Sequence, residues 1–141
     1  MNRLNRIAMP QQFANFINGE WVESPEVSPN INPSNLDDVI GEFARADAEQ
    51  TQRAIRAAAD AFATWSLSTP QQRFDVLDRT GSALLERKEE LGRLLAREEG
   101  KTVAEGIGEV GRAGQIFKFF AGEALRIGGE IVPSVRPGLT V

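Results

Sequence analysis

Beyond residue 46 the chain carries three successive runs of apolar residues at helical spacing, whereas its strand-forming stretches lie almost wholly before them. That asymmetry constrains the fold more than any other feature. In the first run Ile55, Ala58, Phe62 and Trp65 share a face behind a capping Asp47 with Gln50 three residues on, which predicts a helix over 48–65. The second begins at Thr69, with Pro70 at the first helical position and Gln72 closing a capping box. Its stripe of Phe74, Leu77, Leu84, Leu91 and Leu95 reaches Glu98, with a candidate break near Arg87 and Gly100 placed as a left-handed cap. The third is predicted over 103–127, where Val103, Ile107, Val110, Gly114, Phe117, Ala121 and Leu125 follow one another at intervals of three and four, and Gly128-Gly129 ends it.

Ahead of the helices, Asn18-Gly19 sits between Phe16-Ile17 and Trp21-Val22, the pairing a two-residue hairpin turn requires because both central residues need positive φ. Residues 24–35, rich in Pro, Ser and Asn, are expected to form a loop interrupted by Ile31, and residues 39–44 a strand. Ile131-Val132 is a further short strand candidate, and Leu139-Thr140-Val141 reads as a strand just beginning. One hairpin and a few isolated strands give these apolar helix faces too little sheet to cover. The pattern is therefore that of an α/β fold of which this chain is the front portion.

The composition removes whole chemistries. Among 141 residues there is no Cys, no His and no Tyr, so a thiolate nucleophile, a Ser-His-Asp triad and an imidazole metal ligand are excluded from this chain. A formal net charge of -4, with no basic stripe carrying interleaved aromatics, argues against nucleic acid as a partner. Arg3 and Arg6 precede no apolar run of signal length, and no stretch is long enough to span a bilayer, so no membrane partner and a cytoplasmic location are expected.

Gly106-Ile107-Gly108-Glu109-Val110-Gly111 matches the G-x-G-x-x-G dinucleotide fingerprint, with Glu130 nineteen residues beyond Gly111 as a would-be ribose ligand. The fingerprint needs a strand feeding a tight turn, and residues 101–105 are polar and helix-compatible, so the match is rejected. With Gly114, these glycines instead predict a helix surface approached closely by another backbone or by a ligand channel. Glu98-Glu99-Gly100-Lys101 reads either as a solvated cap, with Lys101 near the negative end of a helix dipole, or as carboxylates able to hold a hard cation. Phe117, Phe119, Phe120 and Trp65 read as core, or as contacts to a missing part of the protein.

Phe16-Ile17-Asn18-Gly19-Glu20-Trp21, Asn32-Pro33-Ser34, Val39-Ile40-Gly41, Glu99-Gly100-Lys101-Thr102 and Phe120-Ala121-Gly122-Glu123, in this order and spacing, resemble the opening of an aldehyde dehydrogenase. The resemblance covers residues 13–141, behind a flexible N-terminus over 1–12. Within the superfamily, residues 32–42 and 106–125 are most similar to the 2-oxoglutarate semialdehyde (2,5-dioxopentanoate) dehydrogenases. The fold implied is α/β: the N-terminal part of the aldehyde dehydrogenase fold, a β-hairpin and short strands followed by three amphipathic helices, as an incomplete Rossmann-like domain.

The activity implied is oxidation of an aldehyde to a carboxylic acid with NAD or NADP, in a homodimer or homotetramer. In that family the catalytic and nucleotide motifs lie beyond the point where this sequence stops, so the resemblance assigns no catalytic and no cofactor-binding residue here and implies that the chain alone is inactive. It does imply a structural Na or K ion held by the main-chain carbonyls of Asn30 and Ile31 and the acid of Glu98, and places Glu109, Arg112 and Ile116 on the helix bordering the aldehyde channel. There Arg112 would meet the distal carboxylate of an acidic semialdehyde, or else simply pair with Glu109. The competing readings are a non-catalytic helical interaction module or gene remnant, and a dinucleotide-binding protein using residues 106–111.

Overall fold

A computed structural model describes residues 11–129, 132 and 135–139. The strand candidates at Ile131-Val132 and Leu139-Thr140-Val141, the ribose-ligand candidate Glu130 and residues 1–10 of the expected flexible N-terminus fall wholly or partly outside the described residues. Gln12, counted with that N-terminus, opens a two-residue strand β1 (Gln12–Phe13).

The hairpin is as predicted. Strands β2 (Asn15–Ile17) and β3 (Glu20–Val22) pair antiparallel with Ile17 opposite Glu20, around a turn in which Asn18 has φ 53° and Gly19 φ 82°. Ile17 points inward, while Phe16 and Trp21 lie against each other on the outside with ring centroids 4.9 Å apart.

The expected loop over 24–35 is corrected by the structure, because Val27–Ile31 forms a strand, β4, paired antiparallel with β5 (Val39–Ala44). Pro29 made this segment read as loop. In the sheet order β1-β5-β4, however, β4 is an edge strand, where a residue without an N–H is tolerated. A register shift between Asn30 and Ile31 marks an irregularity at the strand's end. On the other side β1 runs parallel to β5, and Phe13 stacks on Phe43 at 4.8 Å. Gly41 makes room for that pair, since a Cβ there would stand 2.5 Å from the Phe13 ring.

Four helices follow where three were expected, because the second stripe does break at Arg87, whose φ of -99° and ψ of 13° leave the helical region. Helix α1 (Ala48–Trp65) starts at Asp47, whose carboxylate accepts the Gln50 N–H at 2.8 Å. The Gln50 side chain does not close a box; it joins the hairpin instead, accepting from Asn15 Nδ2 and donating to the Glu23 carbonyl. Both α2 (Pro70–Glu86) and α4 (Val103–Ala124) carry complete capping boxes, Thr69 with Gln72 and Thr102 with Glu105. Helix α3 (Lys88–Glu99) ends at Gly100, in the left-handed region at φ 70° as predicted. Helix α4 is shorter than the predicted 103–127, because Leu125 and Arg126 tighten into bonds to the carbonyls three residues back, before the Gly128-Gly129 pair is reached.

The core lies where α4 packs across α2 and α3, and it is built on glycine. A Cβ on Gly106 would stand 2.3 Å from the Gly92 carbonyl oxygen, and one on Gly81 2.8 Å from that of Gly114. Val110, Ala121, Ala124 and Ala96 are buried around these crossings. Close backbone approach is thus the reason for Gly106 and Gly114, as expected, while Gly108 and Gly111 face open space.

Candidate functional site

Three polar clusters surround the turn from α3 into α4. The first is the turn itself. Lys101 Nζ donates to both carboxylate oxygens of Glu109, at 2.8 and 2.7 Å, and also contacts the Glu99 carboxylate. These acids, Glu109 first, raise the Lys101 pKa above its ordinary value, so the ammonium stays charged. The bonds from the Thr102 hydroxyl and backbone N–H hold Glu105 below the usual carboxylate range.

The second cluster ties that turn to the loop between β4 and β5. Asn30 Nδ2 donates to Glu98 Oε1 at 3.1 Å, and the Ser34 hydroxyl donates to the Gly100 carbonyl at 2.9 Å. Arg97 grips both oxygens of Asp38 at 3.1 and 2.6 Å, and Asn32 Nδ2 donates to the same carboxylate. The Arg97 hydrogen bond, and after it that from Asn32, lowers the Asp38 pKa. Two of the three residues expected to hold a cation, Asn30 and Glu98, are therefore brought into contact, with Ile31 next to Asn30 at the strand irregularity. Among the described residues no group of three or more acidic side chains gathers to hold a metal.

The third cluster lies on α4. Glu109, Arg112 and Ile116 share a helix face, and Arg112 and Ile116 are exposed. The alternative pairing of Arg112 with Glu109 is not the one formed, since Lys101 takes Glu109. Arg112 makes no ion pair or hydrogen bond among the described residues. It lines a shallow depression with Lys88, Ile107, Gly108, Gly111 and Gln115. Lys88 and Gln115 escaped the sequence reading because nothing in local spacing places the start of α3 beside the second turn of α4. The only available signal was the break at Arg87, which re-aims the chain there.

The glycine fingerprint has no phosphate cradle to offer. Gly106 to Gly111 lie inside α4, which is entered from the Gly100 turn and not from a strand, and the Gly106 N–H bonds the Thr102 carbonyl at 3.1 Å.

The profile described as "Aldehyde dehydrogenase family" matches residues 21–141. The chain belongs to the aldehyde dehydrogenase family. It is 36% identical over 124 residues to the alpha-ketoglutaric semialdehyde dehydrogenase of Bacillus subtilis (strain 168), covering 86% of this chain and 25% of that protein. The alpha-ketoglutarate semialdehyde dehydrogenase of Haloferax volcanii is also 36% identical, over 123 residues, covering 86% of this chain and 26% of that one. Among solved structures, the betaine aldehyde dehydrogenase of Staphylococcus aureus in complex with NAD+ superimposes with a TM-score of 0.83 at 34% identity, covering 88% of this chain and 25% of that one. The chain thus spans about a quarter of the length of the relatives it matches, and its α/β architecture is that of the N-terminal part of the aldehyde dehydrogenase fold. Among the described residues no helix is long and apolar enough to cross a membrane.

Proposed function

We propose that this chain serves an enzyme that oxidises a small aldehyde carrying a distal carboxylate, such as 2-oxoglutarate semialdehyde, to the corresponding acid with NAD or NADP. Family membership and the two semialdehyde dehydrogenase relatives support the reaction and substrate class. The observation that carries the reading is Arg112 on an exposed face of α4, without an ion pair or hydrogen bond among the described residues, whose guanidinium offers a planar fork to a carboxylate. Ile116 one turn further would offer apolar contact to the carbon chain, and Glu109, held by Lys101, leaves the fork free.

Hydride transfer to nicotinamide is the cofactor's chemistry, and the residues described here do not fit the cofactor. The helical amides of residues 106–111 are already engaged, and with no Cys in the sequence this chain supplies no thiolate. On its own it is therefore inactive in this proposal. The Na or K ion at the main-chain carbonyls of Asn30 and Ile31 and at Glu98 belongs to this proposal on the ground of the family; the Asn30 Nδ2–Glu98 Oε1 bond supports it only by bringing the two segments together, and no step is drawn through it. A cytoplasmic location and a homodimeric or homotetrameric state belong to the same proposal on the ground of the family.

A second reading, a helical interaction module without catalysis, draws on the exposed Ile55, Phe62 and Trp65 of α1. One experiment separates the two: put this chain in place of the matching N-terminal quarter of the Bacillus subtilis relative and follow reduced nicotinamide. A chimera that oxidises 2-oxoglutarate semialdehyde, and in which Arg112→Ala raises KM for it roughly tenfold while sparing an uncharged aldehyde, is the expected result. A folded but inactive chimera overturns the enzyme reading, and equal KM changes for the two aldehydes remove Arg112 from it.

A further inference from the structure

The depression between α3 and α4 has an unusual charge balance. Its rim carries two cations, Arg112 and Lys88, and the amide of Gln115, with no acid. Of the acids nearest in sequence, Glu109 is engaged by Lys101 through both oxygens and Glu90 by Arg87 at 3.0 and 2.7 Å, while Glu86 and Glu89, on either side of Lys88, do not line the depression. Its floor includes Gly108 and Gly111, where a Cβ would meet nothing within 4 Å. Helix packing accounts for Gly106 and Gly114 but not for these two, which lower helix propensity by about 1 kcal/mol each relative to Ala. Bare backbone beneath two cations, with no acid in the lining, suits a small, flat anion lying against the helix.

We infer that this depression is a carboxylate subsite in which Lys88 joins Arg112, and that Lys101 is its positioning residue, keeping Glu109 from neutralising Arg112. The inference rests on the acidic-aldehyde reading for the identity of the ligand. Lys101 touches no ligand in this arrangement. Without it, Glu109, three residues before Arg112 on the same face, becomes free to reach the guanidinium and compete with the incoming carboxylate.

The test is a titration of the 141-residue chain with glutarate, a dicarboxylate with no aldehyde to react, read from the amide NMR resonances of Gly108 and Gly111. Saturable shifts are expected, weakened roughly tenfold by Arg112→Ala and roughly threefold by Lys88→Ala. Lys101→Met should weaken binding as well, and the double variant Lys101→Met/Glu109→Gln should restore it, which a merely structural role for Lys101 would not do. Shifts that do not saturate, or that survive Arg112→Ala, overturn the subsite. Wild-type binding by Lys101→Met, or a loss that Glu109→Gln does not rescue, overturns the positioning role. Saturable shifts with AMP and none with glutarate overturn the carboxylate assignment in favour of a phosphate. An active chimera together with a chain blind to glutarate sinks this inference and spares the enzyme reading; glutarate binding with a folded, inactive chimera does the reverse.

Discussion

Helices α4 and α1 are both long, both amphipathic and both capped by a side chain, yet α4 buries Gly106, Val110, Gly114, Ala121 and Ala124 while α1 buries no residue at all. Phe62 is 66% exposed and Ile55 56%, on the face that the spacing marks as inward. What separates the two helices is glycine. Helix α4 carries gaps that let the α2 and α3 backbones approach to contact, whereas α1 offers only side chains, and among the described elements its main contact is with the hairpin. Amphipathic spacing thus states that a face is to be covered, and close-approach glycines state what covers it.

The contrast is broken most directly at the crossing itself. Gly106→Ala drives a methyl group into the Gly92 carbonyl, backbone against backbone, and is expected to destabilise the chain by about 2–3 kcal/mol despite the gain in helix propensity. Gly108→Ala, two residues away over open space, is expected to stabilise it by about 0.5–1 kcal/mol. Urea denaturation of both variants measures the pair, and the same sign for both would refute the role given to the crossing.

A smaller effect tests the polar tie between α3 and the β4–β5 loop. Because Arg97, and then Asn32, lower the Asp38 pKa in the folded chain, this contribution is fully present above the usual carboxylate value of about 4 and is lost as pH falls through the lowered one. Asp38→Asn should therefore lower the urea midpoint at neutral pH and flatten the decline in acid; an unchanged pH profile would show the tie to be inert. The smallest change is expected at α1, where Phe62→Gln removes an apolar group that is mostly exposed. Stability should move by no more than about 0.5 kcal/mol, while self-association at high concentration, followed by sedimentation, should fall.

Capping boxes, the Asn18-Gly19 turn and the left-handed Gly100 were legible in the sequence because each is decided within a few residues by backbone geometry and a local hydrogen bond. The β4 strand was not, since only its position at a sheet edge reconciles Pro29 with a ladder. Nor was the end of α4, set by a tightened last turn ahead of the expected Gly128-Gly129 stop. At the candidate site, helical spacing put Arg112 and Glu109 on one face, but it could not show that Lys101 is the partner that claims Glu109.

By itself, then, the sequence determined the hairpin, the starts of α1, α2 and α4, the family, and the absence of a thiolate from this chain, because periodicity, caps and composition act locally or not at all. Only the tertiary structure decided which glycines are crossings and which are open floor, and which cation faces which acid. Those outcomes depend on distances of a few ångströms between segments far apart in the chain, and the crossing of α4 over α2 and α3 sets them.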